Sequence, residues 1–182
     1  GKDGGEIMAE IKLSAAALRK TFLTWFFFNG SSQSEERMQG IAVAHSMIPV
    51  INELYKNTSD KAAALKRHLM LFNVEPQIGS VIHGVVAAME EQRANGQDID
   101  DDAINTVKVA LMGPLSGIGD TIVSGTIIPI LLAIAIGITN ASGVLGPICY
   151  MLFYPIVTYL YSWYLFRFGY DAGVAGIQSI LS

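Results

Sequence analysis

Residues 112–139 read MGPLSGIGDTIVSGTIIPILLAIAIGIT, and the fold turns on how that run is parsed. Its first nine residues hold three glycines, a proline and the acid Asp120, whereas the rest carries no charge. Glycine-rich turns present backbone N–H groups to anions, so a phosphate loop is the first reading to test. The Walker pattern needs Lys followed by Ser or Thr after its last glycine, and Asp120 and Thr121 stand there instead. A dinucleotide fingerprint fails too, because Ile122 occupies the position that wants a third small residue. What remains is a membrane segment with a polar doorstep. Residues 121–138 and 143–166 are uncharged, and each is about the length that spans hydrocarbon as a helix. Gly125 and Pro129 interrupt the first, Pro147 and Pro155 the second. Such broken helices are tolerated where neighbours or a cavity satisfy the freed backbone groups, and transporters build sites from them.

The charges divide the chain in two. Of 12 Lys and Arg only Arg167 lies beyond Lys108, and of 16 Asp and Glu only Asp120 and Asp171 do, in a chain that is 51% hydrophobic. With mean hydropathy +0.40 and a pI near 5.3, the composition suits a membrane protein and offers no basic footprint for nucleic acid. Tyr159, Tyr161, Trp163 and Tyr164 precede Arg167 as an aromatic belt precedes a cytoplasmic cation, which places residues 1–108 on the cytoplasmic side and 140–142 outside. Cys149 is alone in an apolar run and reads as a small buried hydrophobe. The charged start GKDGGEIMAEIK has no compact apolar core after it, so no cleavable signal peptide is read there.

Upstream, residues 13–30 end in Trp25, Phe26, Phe27 and Phe28, too short to span and suited to an interfacial or re-entrant helix. Residues 37–55 read as a helix broken by His45, Ser46 and Pro49. Residues 61–72 place Ala62, Leu65, Leu69 and Phe72 on one face with Lys61, Lys66 and Arg67 turned away. Ile78, Val81, Ile82, Val85 and Met89 continue the helical period, while Gly79 and Gly84 permit close backbone approach. Asn95 and Gly96 should stop that helix, and the acids of DIDDD should open the next, where the helix dipole favours negative charge. EEQRANG reads as a solvated face. His45, His68 and His83 lack ligand partners at metal spacing and read as structural, so neither metal nor cofactor is expected.

The motifs ERMQG (36–40), IPVINELY (48–55), ALKRHLMLFN (64–73), VVAAMEEQRANGQDIDDDAINTVKVALMGPLSGIGD (85–120), GTIIPIL (125–131) and FGYDAG (168–173) keep an order and spacing that resembles one family. It is the IID component of the mannose-type (mannose/fructose/sorbose) bacterial phosphotransferase system. The resemblance covers about 13–173. It implies a non-catalytic subunit of the bacterial inner membrane that pairs with a IIC subunit, while soluble IIA and IIB proteins carry phosphate on histidine to the translocated sugar. A higher-order oligomer of the IIC–IID pair, embedded in the lipid bilayer, goes with it. Many relatives of the mannose type have a Trp-Asn-aromatic stretch just before ERMQ where Gln33, Ser34 and Glu35 stand here, so the resemblance does not fix the sugar. Relatives also continue past the equivalent of Ser182, and the family's C-terminal part is read as missing.

The expected architecture is an all-α polytopic membrane protein with interfacial or re-entrant and broken helices plus cytoplasmic amphipathic helices. Its expected parts are a tail (1–12), an interfacial or re-entrant segment (13–60), a cytoplasmic helical segment (61–112) and a membrane-spanning segment (113–182). Substrate contacts are expected from Gln33, Ser34, Glu36 and Gln39, since amides and carboxylates pair with sugar hydroxyls, and from Asp120, Thr121 and Thr126 at the membrane mouth. The alternative for the 33–39 cluster is an ordinary helix start with Ser34 as cap. An acid at the edge of hydrocarbon is either functional or paired, so Asp120 is read both as a site residue and as the N-cap of a new helix after a turn at Gly113-Pro114. A purely structural subunit, with sugar contacts made by the partner, is the competing function. A membrane enzyme using Asp120 as acid is disfavoured because no base, nucleophile or metal set accompanies it.

Overall fold

Ser14 starts the first helix by accepting the Ala17 N–H on its hydroxyl at 3.1 Å, and Glu53 accepts both the Ser14 N–H and hydroxyl. From there α1 (Ala15–Phe28) leads to α2 (Gly40–Leu54), α3 (Thr58–Arg67) and α4 (Ser80–Ala94). The chain continues as α5 (Asp101–Gly119), a π-helical segment (Asp120–Ile127), α6 (Ile128–Ser142) and α7 (Leu145–Leu181). These elements belong to a computed structural model that describes residues 11–181, among which no β-strand forms. The expected tail therefore lies, except for Ile11 and Lys12, outside the described residues.

The caps written locally in the sequence form as expected. α4 ends at Ala94 with Gly96 in the left-handed region at φ 87°, and Asp100 caps α5 by accepting the Ala103 N–H at 2.7 Å, with Asp101 and Asp102 in the first turn. Several expectations are corrected. The turn at 112–120 does not exist: α5 contains Pro114, Asp120 has helical φ −60° and ψ −39°, and α5, the π-helical segment and α6 form one helix from Asp101 to Ser142. A chain break there would strand backbone groups in an apolar medium, so the helix absorbs proline and glycines instead. The residues 61–72 do not form one helix, because α3 ends at Arg67, and Arg67 is buried rather than solvated. The EEQR face is also interior: Glu90, Glu91 and Gln92 are all buried.

The core gathers Leu18, Phe22 and Trp25 of α1, Met47, Val50 and Ile51 of α2, Ile82 and Val86 of α4, Ile104 of α5, and Phe166 and Tyr170 of α7. Trp25 thus faces inward, its indole N–H donating to the Pro76 carbonyl at 2.8 Å, while Phe27 and Phe28 are left exposed. Phe22 meets Tyr159 and Trp163 edge-on at 5.4 and 5.0 Å, tying α1 to α7. α2 stays helical through Pro49. The most extensive helix pair is α4 with α7, where Gly84 lies against the Phe166 carbonyl and Gly169 against the Val81 carbonyl. The other end of α7 packs on α6 as a hairpin. Among the described residues, only the helix from Asp101 to Ser142 is both long and apolar enough to cross a membrane by length and composition; prolines and tyrosines lower the hydropathy of α7.

Candidate functional site

Of the polar groups singled out in the sequence, Gln39 binds a short connector, residues 72–75, that runs between the 34–39 segment and α5, and Asp120 lies near enough to act on its last residue, Glu75. Gln33, Ser34, Glu36, Thr121 and Thr126 form no hydrogen bond to it among the described residues. Gln39 donates its backbone N–H to the Phe72 carbonyl at 2.8 Å, and its buried side-chain amide grips Val74 from both sides, Nε2 to the carbonyl at 3.0 Å and Oε1 from the N–H at 2.9 Å. Across the connector, the Asn73 carbonyl accepts the Ser116 hydroxyl at 3.2 Å. Glu75 then lies directly against Gly119, where any Cβ would meet its side chain. This explains one glycine of the opening motif; Gly113 and Gly117 have open space around them. Gln33 and Glu36 are exposed and Ser34 is half-buried, its hydroxyl accepting the Arg37 N–H at 3.2 Å.

Glu75 is the residue that sequence reasoning missed. Only 7% exposed, it accepts the N–H groups of Gln77 at 3.2 Å and Ile78 at 2.8 Å and so ends the connector at the approach to α4. Burial pushes its carboxyl up, the two N–H donors pull it back, and the neighbouring Asp120 charge pushes it up further. An acid three residues ahead of a helical run, followed by Pro76, was the available signal.

Asp120 does not cap a helix; it opens the π-helical segment and is exposed. Beyond it Thr121, Ser124 and Thr126 are also exposed. The Thr121 hydroxyl donates to the Gly117 carbonyl at 2.9 Å and the Thr126 hydroxyl to the Thr121 carbonyl at 3.0 Å. The wide turns thus carry four polar side chains on a helix that is then apolar from Ile127 to Ile138, and π-turns of this kind recur at functional positions because they rotate side chains off the α register.

A buried ionic cluster that no spacing in the sequence announces joins α3, α4 and α5. Glu90 Oε1 accepts from Arg67 Nε at 2.8 Å and from His68 Nε2 at 2.9 Å, and its Oε2 from the Tyr55 hydroxyl at 2.7 Å. Arg67 also pairs with Asp101, which Arg93 reaches at 2.7 Å. Lys108 donates to the Arg67 carbonyl at 2.9 Å and faces His68 Nδ1 at 3.5 Å. Burial alone would push Glu90 up, but its donors hold it down at about 2. Burial pushes His68 down, opposed by its hydrogen bond to Glu90 and the charge there. His83, whose ring lies tilted against Trp25 with centroids 3.9 Å apart, is pushed down by burial to about 3. Among the described residues no group of His, Cys, Asp and Glu is arranged to hold a metal ion.

Residues 12–182 match the model of the PTS system mannose/fructose/sorbose family IID component. The chain is 40% identical over 173 residues to the PTS system mannose-specific EIID component of Escherichia coli K12, covering 94% of this chain and 61% of that protein. It is 44% identical over 139 residues to the PTS system sorbose-specific EIID component of Klebsiella pneumoniae, covering 76% of this chain and 51% of that one. The cryo-EM structure of the mannose transporter ManYZ in complex with microcin E492 (MceA) superposes with a TM-score of 0.85 at 41% identity, covering 91% of this chain and 61% of the matched chain. The chain therefore spans about three-fifths of the length of the mannose-specific relative it matches.

Proposed function

The chain belongs to the mannose/fructose/sorbose family of IID components of the bacterial phosphotransferase system, and from that membership we propose that it works with a IIC subunit to move a hexose or amino-hexose inward. As a IID component it is a membrane subunit rather than the phosphoryl-transferring enzyme. In this reading it sits as a multi-pass chain in the inner membrane, the sugar is phosphorylated on arrival by IIA and IIB carriers, and IIC–IID pairs associate further. The observation that carries the reading is the polar π-helical segment Asp120–Ile127, which presents Asp120, Thr121, Ser124 and Thr126 within an apolar helix of membrane-spanning length. Charged groups at membrane depth are costly enough that they line pathways.

Asp120 supplies a carboxylate for sugar hydroxyls, and Thr121 and Thr126, whose hydroxyl protons are committed to their own helix, offer acceptor lone pairs. Gln33, Ser34 and Glu36 shape the approach at the other side of the 72–75 connector, while Gln39 holds that connector in place. A second reading, in which the chain chiefly assembles the complex and the partner makes the sugar contacts, draws support from Gln39, whose amide is wholly committed to Val74. Uptake of labelled sugar by Asp120→Asn separates them. Because Asp120 caps nothing, the variant should assemble at wild-type levels yet lose uptake by roughly tenfold or more, as losing a charge-assisted hydrogen bond implies. Normal uptake with normal assembly gives the role to the partner.

A further inference from the structure

The face that α1 turns away from the core divides along its length into a charged part and an apolar part. Lys12 just ahead of the helix, then Ala16, Arg19, Lys20 and Phe27, are exposed, with Leu23 half-buried among them. They recur every three or four residues, the spacing that keeps side chains on one side of a helix. α1 contains no Asp or Glu, and Lys12, Arg19 and Lys20 enter none of the ion pairs among the described residues. Phe27 is 67% exposed. Packing against α7 fixes the depth of each part. Leu13 shares the Glu91 carboxylate with the Tyr170 hydroxyl, Phe22 meets Trp163 and Phe166 at 5.0 and 5.7 Å, and Phe26 reaches Tyr159 at 5.6 Å. α1 therefore runs antiparallel to this part of α7. Arg19 and Lys20 fall in the stretch where α7 carries Arg167, at the end of its aromatic belt. Phe27 lies about 10 Å further along the axis at 1.5 Å per residue, at the depth where α7 exposes Ile156 and Leu160.

We infer that this face of α1 docks an anionic phospholipid of the leaflet on the charged side of the chain, with the phosphate on Arg19 and Lys20 and the acyl chains along Leu23 and Phe27. Cations and phenyl ring follow one another along the helix in the order in which a lipid presents headgroup and hydrocarbon, the pattern of helices that lie at a bilayer interface. Long cationic side chains can keep their stems on apolar surface while the charge stays at headgroup level. A zwitterionic lipid offers the same chains but brings its own cation, so net charge selects the anionic one. A protein surface would have to supply acids for both cations together with an apolar cover for Phe27 at bilayer depth, whereas one lipid supplies both. The inference rests on the chain being a membrane subunit and not on the translocation reading.

The test uses the purified complex of this chain with its membrane partner, carrying Cys149→Ser and Ala16→Cys and reconstituted in phosphatidylethanolamine bilayers. A fluorophore on the cysteine at 16 reports from the face itself, and the complex with Cys149→Ser alone, treated in the same way, is the blank. Phosphatidylglycerol or phosphatidylcholine, each spin-labelled high on one acyl chain, is added as quencher. Phosphatidylglycerol should reach half-maximal quenching at roughly one-twentieth the mole fraction of phosphatidylcholine, since each cation near an anionic surface contributes about 1 kcal/mol. Arg19→Gln with Lys20→Gln should bring the two lipids together. Should that pair of changes prevent assembly, Lys20→Gln alone should narrow the difference to roughly fivefold. Equal quenching by the two lipids in the unsubstituted face, or a difference that the cation variants leave intact, overturns the proposal. Quenching by neither lipid means that a protein surface, from the partner or from a second copy, covers α1, and overturns it as well.

Discussion

Glu90 shows how much one buried side chain organises. It takes hydrogen bonds from α3, from the α3 C-cap and from Tyr55, and Asp101 links the same arginine to the start of α5. Removing one member of a buried ion pair leaves its partner uncompensated, so Glu90→Gln should destabilise the fold by roughly 3–5 kcal/mol, measured by thermal unfolding of the purified complex. The pH dependence follows from the direction of each shift. Glu90 is held below its ordinary 4.5, at about 2, so its contribution is complete above pH 4.5 and disappears as pH falls towards 2. His68 and His83 are both pushed below 6.5. The folded state therefore binds fewer protons than the unfolded chain below 6.5, and stability also declines from there downwards. The wild type should lose stability in two stages on acidification, the first from His and the second from Glu90, and Glu90→Gln should keep the first and flatten the second. An unchanged second stage would mean that another carboxylate carries it.

At the level of elements, the π-helical segment and the α4–α7 contact each make a sharp demand on sequence. Each residue of an α-helix turns the next by about 100°, so deleting Ser124 should let the segment close into ordinary α-helix and swing Asp120 and everything before it relative to α6. Folded complex should persist while uptake fails; retained uptake would show that the wide turns have no part in transport. At the helix pair, Gly169→Ala places a methyl on the Val81 carbonyl and Gly84→Ala places one on the Phe166 carbonyl. Rigid backbone cannot yield as a side-chain tip can, so each should cost about 1–3 kcal/mol as overpacking, read as a lower melting temperature of the complex. The close approach at Gly84 is legible in the sequence, as are the stop at Asn95-Gly96 and the Asp100 cap, because these depend on a few neighbouring residues. The unbroken helix through 112–120 is not, because glycine and proline break helices in water, whereas the apolar continuation through Ile127 and Ile128 favours a continuous hydrogen-bond ladder. The burial of Arg67 and of the EEQR face is hidden as well, since charge alone argues for solvent, and only α3, α4 and α5 together supply the partners that let charges be buried. For the candidate site, Asp120, Thr121 and Thr126 stand out as polar groups within an apolar run. Glu75 does not, since its meaning comes from Gly119, more than forty residues away.

For the whole molecule, the division of charge seen in the sequence becomes a division of surfaces. Residues before about 108 build a core around Phe22, Trp25, Met47 and Ile82, whereas α6 and the first half of α7 leave Ile130, Ile134, Ile136, Met151, Leu152, Phe153, Ile156 and Leu160 exposed. So large an apolar surface needs lipid or protein cover. The hairpin fixes where that surface points. The 15 residues of α6 rise about 22 Å at 1.5 Å per residue, and the eight wide-turn residues before them bring the helix close to the roughly 30 Å of hydrocarbon in a bilayer. α7 then returns along α6 and reaches α4 with Phe166 and Tyr170. Arg167 comes back to the same end as the charged helices, and the turn at Gly143, with φ 59°, is left at the opposite end. If that charged end is cytoplasmic, as the cation bias favours, the loop at 140–144 faces outside. The experiment replaces Cys149 by Ser, since its half-buried thiol is the native background, and introduces Ser142→Cys or Ser59→Cys. A membrane-impermeant maleimide added to intact cells should label the cysteine at 142 and leave the one at 59 unlabelled until the membrane is opened. Labelling of 59 in intact cells with 142 protected would invert the orientation, and labelling of both from outside would mean that the hairpin does not span.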